Sequence, residues 1–459
     1  MADVNLLVAG AGGGIVAALR AQELGLSVAV IDANEHFLRA NNTSMSTAMI
    51  PGAGSRFQRE AGVEDSPATF AEDVRRKTKG RANPVVTEAL SQISAPLVEW
   101  LADSLELPLE LVTDFEYPGH TRHRCHTVPG RHGTILLGML HRVARERGID
   151  VIVPARLVTA RHEGDVVIAV TEQPDGTREE ISCDALVLAT NGFGADPALI
   201  AEHTPEIAGA VYHGSEASRG DALRVGRTFD AAVDCIDAYQ GHGALSLSGT
   251  LVGWATVMHG GFIVNTGGNR FADETQGYSE FAALELTQPD NRAFIIFDQR
   301  IHDACLAFED FRQTKESGVL RQGNSVAELA ERMGLPADRL EASFTEAAAG
   351  RLGGTDRYGR SRWGDVDLVA PFYGVEVRPA LFHTQGGLSV DATARVLNGA
   401  GAPIAGLYAA GGAAVGISGR GADGYLAGNG LLAALGLAFI AAEDAGRRLL
   451  SRTDGQSAV

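Results

Sequence analysis

The first thirty-two residues constrain the fold of this chain more than any other stretch. Asn5 to Ala9 is a short apolar run, the pattern of a buried strand. Gly10-Ala11-Gly12-Gly13-Gly14 follows at once, then the helical repeat Ile15 to Leu24, which Gly25 closes. Ser27 to Ile31 is a second apolar strand and ends at Asp32. Strand, glycines, helix, strand and acid in that order predict a βαβ unit with GxGxxG-like spacing. Such glycines let backbone N–H groups and a helix N-terminus meet a pyrophosphate. Asp32 is placed to accept hydrogen bonds from an adenosine ribose. The third motif position holds Ile15, and Gly14 one residue earlier offers the close helix packing instead.

The chain has 459 residues, too many for one small domain. Residues 63 to 105 read as helices, with Asp65-Ser66-Pro67 as a start signal. Ile135 to Arg147 reads as a helix, Val151 to Val170 as β structure, and Ala185 to Thr190 as an apolar strand before Asn191-Gly192-Phe193. Residues 230 to 360 change texture, with short strands and a helix pair, and the Gly-rich apolar pattern returns from Arg378. The expected division is 1–232 and 362–459 for one domain, with 233–361 inserted. Gly424 to Ala442 carries no charge and is long enough to span a bilayer. Its glycines and Asn429 mark it instead as a buried helix with a ligand-facing start, so no membrane span is expected.

Lys and Arg total 39 and Asp and Glu 57, for a formal charge of −18. That balance lacks the basic footprint of a nucleic-acid binder and attracts anionic membranes weakly. Cys125, Cys183, Cys235 and Cys305 are far apart and form no CxxC, which argues against a disulfide scaffold, an iron–sulfur cluster or attached haem. The start has no signal-peptide pattern, and a cytoplasmic location is expected. His120, His123 and His126 have metal-like spacing, but Arg122 and Arg124 interleave and no carboxylate matches. We read that loop as a polar surface loop or an acid-binding lip on the pocket, with no metal.

Four separated segments carry a resemblance. They are the N-terminal βαβ unit, Ala189-Thr190-Asn191-Gly192-Phe193, Asn269-Arg270-Phe271-Ala272-Asp273-Glu274, and Gly406-Leu407-Tyr408-Ala409-Ala410-Gly411-Gly412. With Gly386-Gly387 and the Gly-rich tail, the chain resembles the fumarate reductase/succinate dehydrogenase flavoprotein family, which includes the 3-ketosteroid Δ1-dehydrogenases. The resemblance implies an α/β fold: a Rossmann-like FAD-binding domain with an inserted α+β capping domain. It implies FAD contacts from Gly10, Gly12, Gly13, Gly14, Asp32, Ala33, Asn42, Thr43, Ser46, Leu157, Thr190, Asn191, Gly192, Gly411, Gly412, Asn429, Leu431 and Leu432. Asn42 stands where covalent members carry a flavin-linked His, so non-covalent FAD is expected.

Fumarate-reducing members place a proton-donating Arg where this chain has Tyr278. A second, carboxylate-binding Arg is replaced by Tyr425, and a substrate His by Phe382, with His383 beside it and expected near the flavin. Losing these groups removes most of the positive charge that a dicarboxylate needs. The same positions look like those of the ketosteroid branch. There the resemblance implies that Tyr278 is the base, that Tyr425 polarises a ketone with the backbone N–H of Asn429, and that Tyr117 assists. His242 falls where family reductases hold substrate. Arg270 and Glu274 are expected to brace the cap.

The chemistry suits those groups. Desaturation beside a carbonyl removes an α proton and a β hydride, and enolate charge needs hydrogen-bond donors. The expected activity is FAD-dependent formation of a C=C bond α,β to the carbonyl of a cyclic ketone. The substrate is a steroid or a smaller ketone, with Arg122 or Arg124 meeting a carboxylate if it carries one. An external electron acceptor, which no motif names, completes the cycle. The alternatives are a reductase of an unsaturated acid or enone, and a flavin-bound assembly subunit without turnover.

Overall fold

A computed structural model describes residues 2–114, 117–354, 356–364 and 366–456. Its first sheet runs in the order Arg395–Leu397, Pro403–Ala409, Arg178–Leu188, Val4–Ala9, Val28–Ile31, Val151–Ile152. The last five of these strands are parallel, and the pair Arg156–Glu163 and Val166–Glu172 extends the sheet from Arg178–Leu188. Leu6 to Ala9 are fully buried, as a strand covered on both faces requires. The helix Ile15–Glu23 makes the crossover. Gly10 turns into it at φ +112°, where a Cβ would lie 2.2 Å from the Ala189 carbonyl oxygen. Gly14 does what the missing third glycine would do: a Cβ there would sit 2.3 Å from the Gly10 carbonyl oxygen and 2.8 Å from Val8.

The second sheet is built on the thirteen-residue strand Phe372–Thr384. Tyr239–Ser246, Ala293–Asp298 and Arg321–Gly323 pair with it antiparallel, and Val211–Tyr212 parallel. Phe262–Asn265 completes the sheet beside Ala293–Asp298. The capping sheet therefore draws strands from outside 233–361, because its central strand comes from the segment that returns to the first domain. That strand ends at Thr384 against Gly192, where a Cβ would come within 1.9 Å of the Thr384 hydroxyl.

The helix Tyr278–Glu285 lies on Tyr239–Ser246, and Gly241 and Gly243 admit Ala282 and Glu285 at close range. Ahead of it, Arg270 is fully buried between Glu274 at 2.8 Å and Asp356 at 2.7 Å, and Arg360 bonds Glu274 at 3.0 Å. This buried network braces the cap. The C-terminal helix Asn429–Gln456 packs against Ile15–Glu23 and Pro84–Asp103. The uncharged tail segment is accordingly a core helix, with most of its apolar stretch buried.

Candidate active site

One continuous cavity lies between the glycine loop of the first domain and the cap. Gly10, Gly12, Gly13, Gly14, Asp32, Ala33, Asn42, Thr43, Ser46, Leu157, Thr190, Asn191, Gly411, Gly412 and Leu431 line it. The Asp32 carboxylate accepts from the Ala11 N–H at 2.8 Å and the Asn34 N–H at 2.9 Å. Burial raises its pKa, and those two bonds oppose the rise. The C-terminal helix closes on the loop so tightly that a Cβ on Gly13 would lie 2.6 Å from Ala434. The Thr190 hydroxyl is buried without a hydrogen-bond partner and belongs to the wall, so it has a bond to offer a bound group. A glycine cradle, a carboxylate at the second strand's end and an unmet hydroxyl together fit the dinucleotide portion of FAD. Gly192 and Leu432, expected among the FAD contacts, lie off the wall. Gly192 is pressed against Thr384, and Leu432 is fully buried in the core.

At the other end, Tyr278, Tyr425, Tyr117, His242, Phe382 and His383 line the same cavity. The Tyr278 and Tyr425 rings lie 5.7 Å apart at 61°. Tyr278 stacks on His242 at 4.6 Å and 17°, and His242 stacks on Phe382 at 5.1 Å. Tyr278 comes from the cap and Tyr425 from the tail loop, so the pair exists only where the two halves meet. Burial pushes the Tyr278 phenol well above its ordinary range, and the Tyr425 phenol beside it adds to the rise. Burial raises Tyr425 as well, opposed by the Gly430 N–H. His242 is pulled down to about 3 by burial, and its Nδ1 accepts from the Ala244 N–H at 3.1 Å. His383 falls to about 4 for the same reason, and Gln385 donates to its Nδ1 at 2.8 Å.

Three expected substrate contacts fall elsewhere. Asn429 gives its N–H to the Leu426 carbonyl at 3.1 Å, so it is not free for a ketone, and the residue is absent from the wall. The N–H that faces Tyr425 belongs to Gly430, the next residue along. Arg124 is buried against Asp65 at 2.8 Å and Asp73, and it bonds His120 at 3.1 Å. His120 in turn reaches the Ala427 carbonyl at 3.0 Å. Arg124 thus props the tail loop and lies off the cavity, with two carboxylates already against its charge. Arg122 is exposed and bonds the Glu64 and Thr121 carbonyls. His126 bonds Ser55 at 2.8 Å. The loop is therefore a brace under Tyr425 rather than an acid-binding lip.

Trp254, His213 and Asp310 also belong to this wall, and no motif marked them. Trp254 sits 6.1 Å from Tyr278. Among the described lining residues there is no Lys or Arg, and the carboxylates are Asp32, Asp221 and Asp310. Asp221 is paired with Arg156 at 2.7 Å.

Comparison with known proteins agrees with this architecture. Residues 5–431 match the family described as FAD binding domain. The chain is 25% identical over 424 residues to an NADH:fumarate oxidoreductase of Klebsiella pneumoniae, covering 90% of this chain but 45% of that protein. Among solved structures it is similar to the open conformation of a flavocytochrome c3 fumarate reductase, with TM-score 0.78 and 27% identity, covering 97% of this chain and 78% of that one. It shares its fold with a 3-ketosteroid Δ1-dehydrogenase of Sterolibacterium denitrificans, with TM-score 0.75 and 19% identity, covering 97% and 99%. The chain belongs to the FAD binding domain family, and it is an FAD-dependent oxidoreductase.

Proposed function

We propose that the protein desaturates an uncharged cyclic ketone at the α,β position, using non-covalently bound FAD and an external electron acceptor. The observation that carries this reading is the Tyr278–Tyr425 pair at 5.7 Å in a wall whose described residues include no Lys or Arg. A dicarboxylate entering that wall would exchange its hydration for phenols and neutral imidazoles. A ketone asks only for neutral donors. Tyr425 and the Gly430 N–H donate to the carbonyl oxygen, where enolate charge grows as the α proton leaves. Tyr278 takes that proton. FAD bound at the glycine cradle supplies the two-electron acceptor for the β hydride, so the ketone loses H⁺ and H⁻ and gains the C=C bond. Tyr117 and His242 shape the pocket around Tyr278, the latter as a neutral stacked ring. Loss of two charged partners at positions 278 and 425 makes fumarate a poor substrate, by about ten- to a hundredfold for each.

One observation favours the reverse direction as a second reading. The buried Tyr278 phenol holds its proton at neutral pH. A protonated Tyr278 is an acid ready to protonate the α carbon of an enone during reduction. Anaerobic titration separates the two: ketone bleaches the flavin in the first case, and enone reoxidises reduced protein in the second.

The direct test is Tyr278→Phe. Flavin reduction by the best ketone should fall at least about 10²-fold, the lower end for a general base. Exchange of α hydrogens with heavy water should vanish in Tyr278→Phe and persist at a reduced level in Tyr425→Phe. Turnover near wild type in Tyr278→Phe would refute the assignment.

A further inference from the structure

The substrate end of the cavity has a polar feature that the desaturation chemistry does not use. From Tyr425 the wall passes to Tyr278 at 5.7 Å and to Trp254 at 6.1 Å. Leu251, Val252, Met258, Phe308 and Phe311 also line the cavity. The Leu251 carbonyl accepts from the Thr314 hydroxyl at 3.2 Å, and Thr314 also bonds the Asp310 carbonyl at 3.0 Å. Asp310 itself lines the cavity, and its charge acts on His213, which lies 5.2 Å from Phe382 in the same wall. The Asp310 carboxylate lies 3.5 Å from His132 Nε2, and both side chains are only 15% exposed. His132 comes from the first domain and is oriented by its Nδ1 contact with Thr134 at 2.5 Å. The bond to Asp310 raises the His132 pKa.

We infer that Asp310, oriented by His132, accepts a hydrogen bond from a hydroxyl at the end of the substrate remote from the reacting ketone. This rests on the ketone reading above and adds the second functional group of the substrate. A carboxylate there would meet the Asp310 carboxylate, with no Lys or Arg among the described lining residues. A hydroxyl brings a donor with no ionic charge to desolvate. A site built to accept that bond discriminates strongly against an analogue lacking it, because the acceptor is then left unmet.

Matched ligands test this on the FAD-loaded protein. One set is 4-cyclohexylcyclohexanone with hydrogen, hydroxyl or carboxylate at the far ring carbon. The other is the 5α-androstan-3-one skeleton with the same three groups at its far end. Binding is read from perturbation of the flavin spectrum, and kcat/KM from dye reduction. In at least one set the hydroxyl ligand should bind about tenfold or more tightly than the hydrogen ligand, and the carboxylate weakest. Asp310→Ala should erase the hydroxyl preference while the hydrogen ligand stays within about twofold. Asp310→Asn, which keeps an acceptor and the side-chain volume, should retain part of it and serves where the alanine variant folds poorly. The inference is overturned if the preference is absent in both sets, if Asp310→Ala leaves it unchanged, or if the carboxylate binds tightest. An active Tyr278→Phe together with an Asp310-dependent preference would sink the base assignment alone.

Discussion

Tyr278 and His242 face each other at 4.6 Å with opposite consequences of burial. The phenol is pushed up and the imidazole down to about 3, so both are neutral at physiological pH. A base must shed its proton before it can work. Ketone-driven flavin reduction should therefore rise with pH, close to tenfold per unit between pH 7 and 9. No inflection from His242 is expected between pH 5 and 8. Stopped-flow reduction across that range checks both statements, and a plateau already reached at pH 7 would remove Tyr278 from the role. The two tyrosines were legible because their offsets from Arg270–Glu274 and from the tail glycines are fixed by the chain. The donor beside Tyr425 was not legible. Whether Asn429 or Gly430 turns its N–H toward Tyr425 depends on Asn429 spending its own on Leu426, a local turn that residue types do not encode. Arg124 misled for a similar reason. Its partners Asp65 and Asp73 lie 59 and 51 residues away, and only the fold brings them together.

Between the helices Pro67–Lys77 and Pro84–Asp103, a short basic turn reaches both tyrosine-bearing elements. Lys77 donates to the Gln276 carbonyl at 2.8 Å and pairs with Glu280, two residues beyond Tyr278. Lys79 and Arg81 both pair with Asp423 at 2.6 Å, two residues before Tyr425. The two halves of this clasp differ in burial. Lys77 and Glu280 are 11% and 13% exposed, whereas Lys79 is 70% exposed. Removing one member of a buried pair strands the other charge, at about 3–5 kcal/mol. Lys77→Met should cost about 3 kcal/mol at pH 7, measured by urea unfolding, with kcat falling more than KM rises. Burial already holds the Glu280 pKa above its ordinary value, so that carboxyl takes up a proton readily in the folded state. The loss should therefore shrink at pH 5, and Glu280→Gln added to Lys77→Met should recover much of it. Lys79→Ala should cost no more than about 1 kcal/mol. The sequence marked these elements as helices, but a charge on an amphipathic helix reads as solvated until its partner is located.

For the whole molecule, FAD seated in a cavity lined by both halves would link them. Asn42 accepts from the Ser215 N–H at 2.7 Å and donates to the Phe382 carbonyl at 3.3 Å, so its amide ties the first domain to the capping sheet. An amide offers no nucleophile to the flavin. Acid precipitation should leave a colourless polypeptide and intact FAD in the supernatant, read by absorbance and chromatography. Ligand present at about a thousandfold its Kd adds about 4 kcal/mol to stability. Stripped protein should accordingly melt well below the yellow form, and equal melting temperatures would contradict a cofactor seated between the halves. The two-layer plan was legible from the change of texture near residue 230. The strand that joins the layers was not, since Phe372–Thr384 alternates like any other strand and its pairing is wholly long-range.

That same strand limits how proteins of this shape can exchange parts. Phe372 pairs with Asp298 deep in the cap, and Thr384 pairs with Tyr239 beside Gly192 of the other half, with no linker between. A chimera cut at residues 233 and 361 would leave the donor's cap without its central strand and strand the recipient's copy beside foreign neighbours. Inheritance of a new cap as a working module requires crossover points before Val211 and after Thr384. Retuning by point changes in the wall around Asp310 is the shorter route to a new substrate.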